Sequence, residues 1–316
     1  MFLDTRIMYP ELKEKWIFIV NPIAGNGFAK TMIPVIEENL KKFDIDGDIL
    51  LTERSGHAVE LSKSCYEKGY RYIIGVGGDG TVNEIARPLV NKQNVVIGVI
   101  PAGTGNDFIQ VTGFPGRFSE KEWEILFNKN IISMDVGSVN GMIFLNGMGL
   151  GFDAQVAAEN YTEPGKVKKG GKHKYIWHIV KTILFFKEKR MKVTSGRSTS
   201  ETDCFINTIS IGRRFAGGFF LTPKAIANDG MLDVCSIKRL SLVQRFKLLL
   251  KVPKGEHITD SKVAYYQTQG LELEFSEKVP YHVDGELNFS KDFKVSILPK
   301  ALNILYNPDG NHFFRK

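Results

Sequence analysis

The sequence has few cysteines and no long uninterrupted apolar run, and both absences exclude classes of protein. Its 316 residues contain three cysteines, far apart and without a CxxC spacing or a nearby histidine pattern: Cys65, Cys204 and Cys235. They favour a reducing cytosol and predict neither a disulfide framework nor a zinc site. The most apolar later stretch, residues 175–186, contains Lys181 and is shorter than the roughly 20 residues that span a bilayer. We therefore expect no transmembrane segment.

The amino-terminal residues and the composition favour a soluble globular protein without a secretory signal. Residues 1–6 already mix acidic and basic side chains before any apolar run, which argues against a signal peptide. Hydrophobic residues make up 43% of the chain and charged residues 24%, and the length allows about two domains of ordinary size.

Positive charge is concentrated in one segment. Residues 163–192 contain ten basic and two acidic side chains, a net charge of +8, so the rest of the chain has −1 of the overall +7. Such a segment could contact anionic lipid headgroups or nucleic acid, and the alternative is a solvated lysine loop that leads into a core helix. Because the charge is confined to one loop and helix, nucleic-acid binding is the weaker interpretation.

The first part of the chain alternates short apolar runs with helical segments. We predict strands at 16–21, 48–52, 71–76 and 95–100, and helices at 30–42, 57–68 and 81–91. The strands are continuous apolar runs, as expected for parallel strands buried on both faces. This region is therefore predicted to be a doubly wound α/β domain.

Beyond Asp135 the pattern changes to short strands separated by glycine or Asn-Asp-Gly turns. The predicted strands include residues 142–146, 204–211, 231–237 and 271–275, with helices near 174–188 and 241–251. This pattern predicts an antiparallel β domain, a sandwich, interrupted by helices.

Three glycine-rich turns each follow a predicted strand of the first domain. They are residues 21–27 (NPIAGNG), 77–84 (GGDGTVNE) and 101–108 (PAGTGNDF). Glycines at a strand-to-helix turn expose backbone N–H groups that bind phosphate, and the carboxyl ends of parallel strands meet at one edge of a sheet. One such turn would be read as a plain tight turn, whereas three together favour a nucleotide site. Among the glycines, Asp79 is suited to orient a hydrated cation or a phosphate-bound water.

These turns and three later motifs resemble those of the diacylglycerol kinase catalytic-domain family, which also includes sphingosine and ceramide kinases and soluble bacterial diacylglycerol kinases. The resemblance covers nearly the whole chain and rests on six motifs in order: residues 21–25, 77–84, 103–108, 146–153, 228–233 and 284–286. It implies an α/β nucleotide-binding domain at 1–134 and an antiparallel β-sandwich lipid-substrate domain at 135–316, with the tail from about 300 able to pack back on the first domain. It also implies an active site in the interdomain cleft.

The implied reaction is the ATP- and Mg²⁺-dependent transfer of the γ-phosphoryl group to a lipid hydroxyl, with diacylglycerol converted to phosphatidic acid. By resemblance, Asp284 is the general base and Glu286 supports it near the nucleotide, although Asp-Gly alone is a common β-turn. Thr52 and Thr104 could instead cap the helices that follow them. The residues implied to contact the nucleotide are Asn21, Gly25, Thr52, Gly77, Gly78, Asp79, Gly80, Thr81, Asn83, Thr104, Gly105 and Asn106.

The resemblance also implies two sites for Mg²⁺. Asp79, Asp107 and Asp135 would form a carboxylate and water network around the catalytic ion; alternatively, Asp107 is a helix N-terminal residue and Asp135 a strand-end turn residue. A structural ion would be held by the Asp229 side chain together with two backbone carbonyls. The alternative is that this segment is only an Asn-Asp-Gly turn without a bound ion. Those carbonyls belong to Ile226 and Met231.

The implied setting is a cytoplasmic, peripherally membrane-associated enzyme whose partner is a lipid at a membrane surface. We expect membrane contact through residues 166–174 or 242–251, no nucleic-acid partner, and a sheet edge that could pair in a homodimer. Two alternatives stay open. NAD kinase shares the Gly-Gly-Asp-Gly-Thr turn, although Asn21-Pro22 and the 284–286 tail argue against it, and a catalytically silent nucleotide-binding or membrane-docking module would bind ATP without turnover.

Overall fold

The chain divides into two compact units, each described here by itself. A computed structural model describes residues 15–163, 166–167, 181–216 and 218–315, with only the backbone described at 160–163 and 166–167. The first unit contains the chain up to Ile109 together with Gly113–Ser133 and Ala301–Gly310. The second contains Gln110–Thr112, Met134–Lys300 and Asn311–Lys316.

A parallel sheet forms the centre of the first unit. Its order is β2-β1-β3-β4, and the end of the last strand, β15, lies parallel to β4 with Ile304 opposite Ile97. All five residues of β1 are buried, which explains their uninterrupted apolar character. The strands are β1 (Trp16–Val20), β2 (Gly47–Leu51), β3 (Tyr72–Gly77), β4 (Val96–Pro101) and β15 (Glu286–Leu305).

Three predicted helices connect these strands, and two further helices, which were not predicted, follow β4. They are α1 (Phe28–Lys42), α2 (His57–Glu67), α3 (Asp79–Ala86), α4 (Ile109–Thr112) and α5 (Glu120–Phe127). Both ends of the third helix differ from the prediction of 81–91: it begins at Asp79, and a 3₁₀ turn at Arg87–Leu89 replaces its end. Pro88 explains the change, because proline has no N–H to continue the α-helical bonding.

The second unit is an antiparallel sheet whose order is β13-β12-β11-β10-β14-β15. The short strand β7 pairs with the later half of β11 and with the end of β14. Strand β10 pairs with the first half of β11 and with the early part of β14. Its strands are β5 (Ile131–Val139), β6 (Met142–Phe144), β7 (Gly147–Gly151), β10 (Lys189–Ser195), β11 (Ser198–Ser210), β12 (Leu232–Lys238), β13 (Val263–Thr268) and β14 (Gly270–Val283), followed by β15.

Helices lie between these strands. Helix α6 (Phe152–Asn160) follows β7 and leads into a separate two-stranded ribbon, β8 (Tyr161–Glu163) with β9 (Lys166–Val167). The predicted 241–251 helix is confirmed as Leu242–Lys251, with Ser241 as its N-cap. A buried apolar cluster joins the helices to the sheet: Phe152, Val156, Ile183, Phe205, Ile206, Phe215, Leu221, Cys235, Ile237, Leu240, Leu248 and Val252.

The helix predicted at 174–188 is only partly described. Residues 181–185 are helical, but the helix does not continue to 188, because residues 186–188 are irregular and β10 begins at Lys189. Residues 171–180, most of the lysine-rich loop and the amino-terminal residues 1–6 lie outside the described ranges. In the described part of the chain, no helix has the length and apolar character needed to cross a membrane.

Candidate active site

The three glycine-rich turns come together at the carboxyl ends of β1, β3 and β4. A Cβ atom on Gly25 would lie 2.3 Å from the Ala102 carbonyl oxygen, and one on Gly103 would lie 2.4 Å from the Gly78 Cα. Real Cβ atoms do not approach backbone this closely, so both positions require glycine. The first unit thus brings together the glycine-rich turns that the sequence predicts to bind phosphate.

Side-chain hydrogen bonds connect the first two turns. The Asn21 amide Nδ2 donates to the Thr81 hydroxyl at 3.1 Å. Thr81 in turn lies against Gly77, where a Cβ would come within 2.6 Å of the hydroxyl oxygen. Asn21 therefore fixes the start of α3, which presents its N-terminal N–H groups at this edge.

The carboxylate of Asp79 holds the third turn. Its Oδ2 accepts a hydrogen bond from the Asp107 N–H at 3.1 Å and its Oδ1 accepts one from the Phe108 N–H at 2.9 Å. The amide of Asn106 closes the same turn by bonding both the N–H and the carbonyl of Gly103 at 2.9 Å. Gly105 faces the same carboxylate, where an added Cβ would be 3.2 Å from Oδ2. Each Asp79 oxygen can accept more than one bond, so this role does not prevent contact with a hydrated cation.

Other residues predicted to bind nucleotide differ in their surroundings. Asn83 is buried and its Oδ1 accepts a 2.7 Å bond from the Arg87 Nε within its own helix region. Thr52 is buried at the end of β2, with its N–H bonded to the Val20 carbonyl at 2.9 Å. Gly80 is half-buried, while Thr104 is exposed in the third turn. Contact of these residues with nucleotide stays a prediction.

The predicted metal ligands do not form a closed side-chain cage within the described part of the chain. The described residues contain no group of three or more histidine, cysteine or acidic side chains that could hold a metal ion. Asp79 lies among the glycine-rich turns, where one carboxylate would fit Mg²⁺ that is bound through one or two carboxylates, its own waters and nucleotide phosphates. The donor set therefore suits an ion that arrives with its nucleotide.

Asp135 belongs to the second unit and is fully buried. Its carboxylate accepts bonds from the Gly230 N–H at 2.7 Å and the Lys300 N–H at 2.8 Å, and burial raises the pKa of this carboxyl group. The first bond connects β5 to the Asn-Asp-Gly turn, and the second connects it to β15. Its metal role stays a prediction.

The Asn-Asp-Gly turn is closed by its own hydrogen bonds. Asp229 Oδ1 accepts from the Met231 N–H at 3.1 Å, and its Oδ2 accepts from the Gln267 amide at 3.1 Å. The same amide donates to the buried Asp233. The half-buried Ile226 lies before this turn. A structural Mg²⁺ held by the Asp229 side chain with the Ile226 and Met231 carbonyls stays a prediction.

Asp284 occupies a two-residue hairpin turn between β14 and β15. Both turn residues have positive φ, 45° for Asp284 and 88° for Gly285, as a type I′ turn requires. The carboxylate accepts three backbone N–H bonds from the residues that open β7: Leu145 at 2.7 Å, Asn146 at 3.0 Å and Gly147 at 3.0 Å. The Asp-Gly turn is thus real, and its aspartate also fixes the start of β7. The predicted supporting residue, Glu286, is exposed.

Sequence reasoning missed a polar pair beside this aspartate. His282 Nε2 lies 3.1 Å from Asp153 Oδ2, across a position where a Cβ on Gly149 would clash with both groups. The other polar atoms of the pair, His282 Nδ1 and Asp153 Oδ1, are buried and have no hydrogen-bond partner among the residues that the structure describes. Asp153 is part of the 146–153 motif, and His282 lies near the end of β14, just before the turn that contains Asp284. The spacing of His282 two residues before Asp284 was the available signal.

Two family descriptions match consecutive parts of the chain. "Diacylglycerol kinase catalytic domain" matches residues 15–139, and "YegS C-terminal NAD kinase beta sandwich-like domain" matches residues 147–306. The second match alone covers half of the chain. The predicted fold classes of both parts are therefore confirmed.

Similar proteins carry related names. The diacylglycerol kinase of Bacillus subtilis (strain 168) is 26% identical over 270 residues, which cover 85% of this chain and 88% of the relative. The protein named "Probable lipid kinase YegS-like" of Shewanella frigidimarina is 27% identical over 284 residues, covering 84% and 90%. A crystal structure of a diacylglycerol kinase from Bacillus anthracis str. Sterne has a TM-score of 0.76 and 27% identity, and covers 93% of this chain and 98% of that one. The chain therefore belongs to the enzyme family of diacylglycerol kinases and YegS-like lipid kinases.

Proposed function

We propose that this lipid kinase transfers the γ-phosphoryl group of ATP to the hydroxyl of diacylglycerol in a Mg²⁺-dependent reaction. The observation that carries the proposal is the convergence of three glycine-rich turns at one sheet edge, closed by the Asp79 carboxylate. Such an edge offers several backbone donors to a polyphosphate, as phosphoryl transfer requires.

The first unit would position the nucleotide. Backbone N–H groups of the turns and of the α3 N-terminus would hold the phosphates, and the Asn21–Thr81 bond would keep the first two turns in register. When bound, Mg²⁺ supplies neutralisation of the charge on the transferring phosphoryl group, and Asp79 and Asp107 are the side chains that would hold it. Because little covalent chemistry is left to the protein, positioning would provide most of the acceleration.

The second unit would provide the base. In the transfer, the lipid hydroxyl oxygen bonds to the γ-phosphorus, the bond to the bridging oxygen of ADP breaks, and the hydroxyl proton moves to the Asp284 carboxylate. The three N–H bonds to that carboxylate hold it in one orientation. The neighbouring His282–Asp153 pair presents buried polar atoms that could bind the glycerol portion of the acceptor.

The acceptor class follows from chemistry and from similar proteins. Relatives named diacylglycerol kinase match most of the chain, which supports a neutral lipid with a free hydroxyl. NAD kinase is the second candidate, because the matching description of residues 147–306 includes an NAD kinase-like sandwich. We infer a cytoplasmic enzyme that works at a membrane surface, where such a lipid resides.

The proposal is tested by incubating the full chain with labelled ATP, Mg²⁺ and one acceptor at a time. The acceptors are diacylglycerol, phosphatidylglycerol and sphingosine in mixed detergent micelles, and NAD in solution. We expect label in phosphatidic acid. Label on NAD alone would replace the proposal with the second candidate, and ATP binding without any labelled product would indicate a silent module.

A further inference from the structure

The helix Leu242–Lys251 has apolar residues on two faces. Leu248 is buried in the core of the second unit, as expected for the inner face. The outer face is also apolar: Leu242, Val243, Phe246 and Leu250 are 47%, 64%, 43% and 78% exposed. At about 100° per residue these four side chains occupy an arc of roughly 100°. A surface helix normally has polar residues there, so this face is unusual.

A second exposed apolar segment is fixed beside this helix. The buried Arg245 guanidinium donates to the Ile183 carbonyl at 2.5 Å and the Phe186 carbonyl at 3.1 Å, and it pairs with the Glu188 carboxylate at 2.7 Å. Leu184 and Phe185 lie between Ile183 and Phe186 in the sequence, and their side chains are 43% and 73% exposed. Arg245 therefore holds this segment against the helix.

We call these six side chains the docking surface: Leu184, Phe185, Leu242, Val243, Phe246 and Leu250. They are six of the eleven exposed large hydrophobic residues found in the described chain. Isolated exposed apolar residues are ordinary, but their concentration on two adjoining segments indicates an interaction site.

The charges around the docking surface are mainly basic. Among the described residues of these segments and the turns that flank the helix, six exposed side chains are cationic: Lys181, Lys187, Lys238, Arg239, Lys247 and Lys254. The acidic Glu188 is buried in its pair with Arg245, and Asp260 pairs with Lys251 at 3.5 Å. Among the same described residues, Glu256 is both acidic and exposed. The surroundings therefore complement an anionic surface.

We propose that the docking surface binds the headgroup region of an anionic lipid bilayer, with its apolar side chains inserted at the acyl boundary. The inference rests on the proposed function, because a two-chain substrate stays in the bilayer and the enzyme must reach it there. An apolar stripe bordered by lysines is the pattern of interfacial helices. Lysine is depleted at protein–protein interfaces, which argues against a second copy or another protein as the occupant.

The test measures binding of the full chain to sedimenting phosphatidylcholine vesicles with and without phosphatidylglycerol. Phe185→Ser and Leu250→Gln should each weaken binding by about tenfold or more, since each removes inserted apolar surface. Lys247→Gln should weaken binding about fivefold, and only on vesicles that contain phosphatidylglycerol. Phe289→Ser is the matched control, because Phe289 is 56% exposed but lies on β15 outside the docking surface. Circular dichroism and thermal unfolding check that each variant is folded.

A second readout separates membrane docking from catalysis. Phe185→Ser and Leu250→Gln should lose activity on diacylglycerol in vesicles and keep it on a short-chain diacylglycerol in detergent micelles. The proposal would be overturned if the wild-type protein does not bind vesicles or if the variants bind vesicles as tightly as the wild type does. An equal loss of vesicle binding in Phe289→Ser would also overturn it. A concentration-dependent dimer that the variants dissociate, without vesicle binding, would also overturn it in favour of a second copy. Vesicle binding by a protein that phosphorylates no lipid would overturn only the proposed function.

Discussion

Gly103 shows how a single residue determines whether two turns can meet. A Cβ atom there would lie 2.4 Å from the Gly78 Cα and 2.8 Å from the Asn106 Oδ1. We expect Gly103→Ala to weaken ATP binding at least about tenfold and to lower the free energy of unfolding by about 1–3 kcal/mol, because the backbone segments must separate. Isothermal titration with ATP and urea unfolding measure the two effects. Gly116→Ala is the control, since an added Cβ there has no neighbour within 4 Å; equal effects in both variants would contradict the account.

Asp284 combines a structural and a proposed chemical role, and a variant can separate them. Asp284→Asn keeps the shape but loses the base, so we expect kcat to fall by about 10²–10⁴ while ATP affinity stays the same. It also replaces an acceptor of three N–H bonds by a group with one acceptor oxygen, which should lower the free energy of unfolding by about 1–3 kcal/mol. Steady-state kinetics at a temperature where the variant is fully folded provide the test. An unchanged kcat would move the base elsewhere, with Glu286 as the next candidate.

His257 predicts a pH dependence of stability. The residue is fully buried, and burial lowers the pKa of its imidazole from 6.5, against a raising effect of the bond to the Leu221 carbonyl. Below about pH 6.5 the His257 imidazole is therefore protonated in the unfolded chain but stays neutral in the folded chain until the pH is lower. The free energy of unfolding should then decrease as the pH falls through that value. One such proton gives a slope of up to about 1.4 kcal/mol per pH unit.

The control for this prediction is His257→Gln, which can still donate to the Leu221 carbonyl but does not titrate. Urea unfolding between pH 7.5 and pH 5.5 should show a smaller loss of stability in the variant than in the wild type. If the free energy of unfolding depends on pH in the same way in both proteins, His257 has the same protonation state in the folded and unfolded chains, and the prediction is wrong.

At this scale, local sequence spacing predicted the glycine-rich turns and the Asp-Gly turn, because each is a short-range feature. It could not predict what the aspartates bond to. Asp79 bonds the Phe108 N–H 29 residues away, and Asp284 bonds the Asn146 N–H 138 residues away. The His282–Asp153 pair spans 129 residues and was missed for the same reason. These contacts depend on how strands are brought together, which local patterns do not encode.

Among the elements, the Arg245–Glu188 ion pair connects the Leu242–Lys251 helix to residues 183–188. Both side chains are nearly inaccessible, 7% and 6% exposed. Arg245→Ala should lower the free energy of unfolding by about 3–5 kcal/mol, because Glu188 is then a buried charge without its partner. Urea unfolding measures this loss. The double variant Arg245→Met/Glu188→Gln should lose clearly less unfolding free energy than the sum of the losses in Arg245→Met and Glu188→Gln alone. Additive losses of stability would contradict a direct pair.

The predicted elements agree best where burial is uniform. Strands β1, β3 and β4 of the first unit are fully buried apolar runs, and they were located within two residues, as was the more exposed edge strand β2. β15 was not predicted, although it spans Glu286–Leu305. Much of this strand is polar, because its outer positions include the exposed Lys291 and Asp292. Its pairing with β14 identifies it as a strand, which the sequence pattern alone does not. Helix α3 was displaced because Pro88 determines where the helix ends.

For the whole molecule, the order of the motifs carried more information than any single motif. The α/β and antiparallel β classes follow from strand character alone, and the two family matches agree with them. The prediction drawn from the concentrated positive charge stays a prediction, because most of the lysine-rich loop lies outside the described residues. The exposed apolar face of the Leu242–Lys251 helix became apparent only from side-chain exposure, because the helix's sequence does not distinguish its inner face from its outer face.

The most direct test of the central claim is the initial rate of labelled phosphate transfer from ATP to diacylglycerol in mixed micelles. The rate is measured with Mg²⁺ and with excess chelator, for the wild type and for Asp284→Asn. The account predicts labelled phosphatidic acid from the wild type with Mg²⁺ only, and a rate lower by about 10²–10⁴ in the variant. A wild type that binds ATP but labels no lipid, or that labels NAD instead, would contradict it.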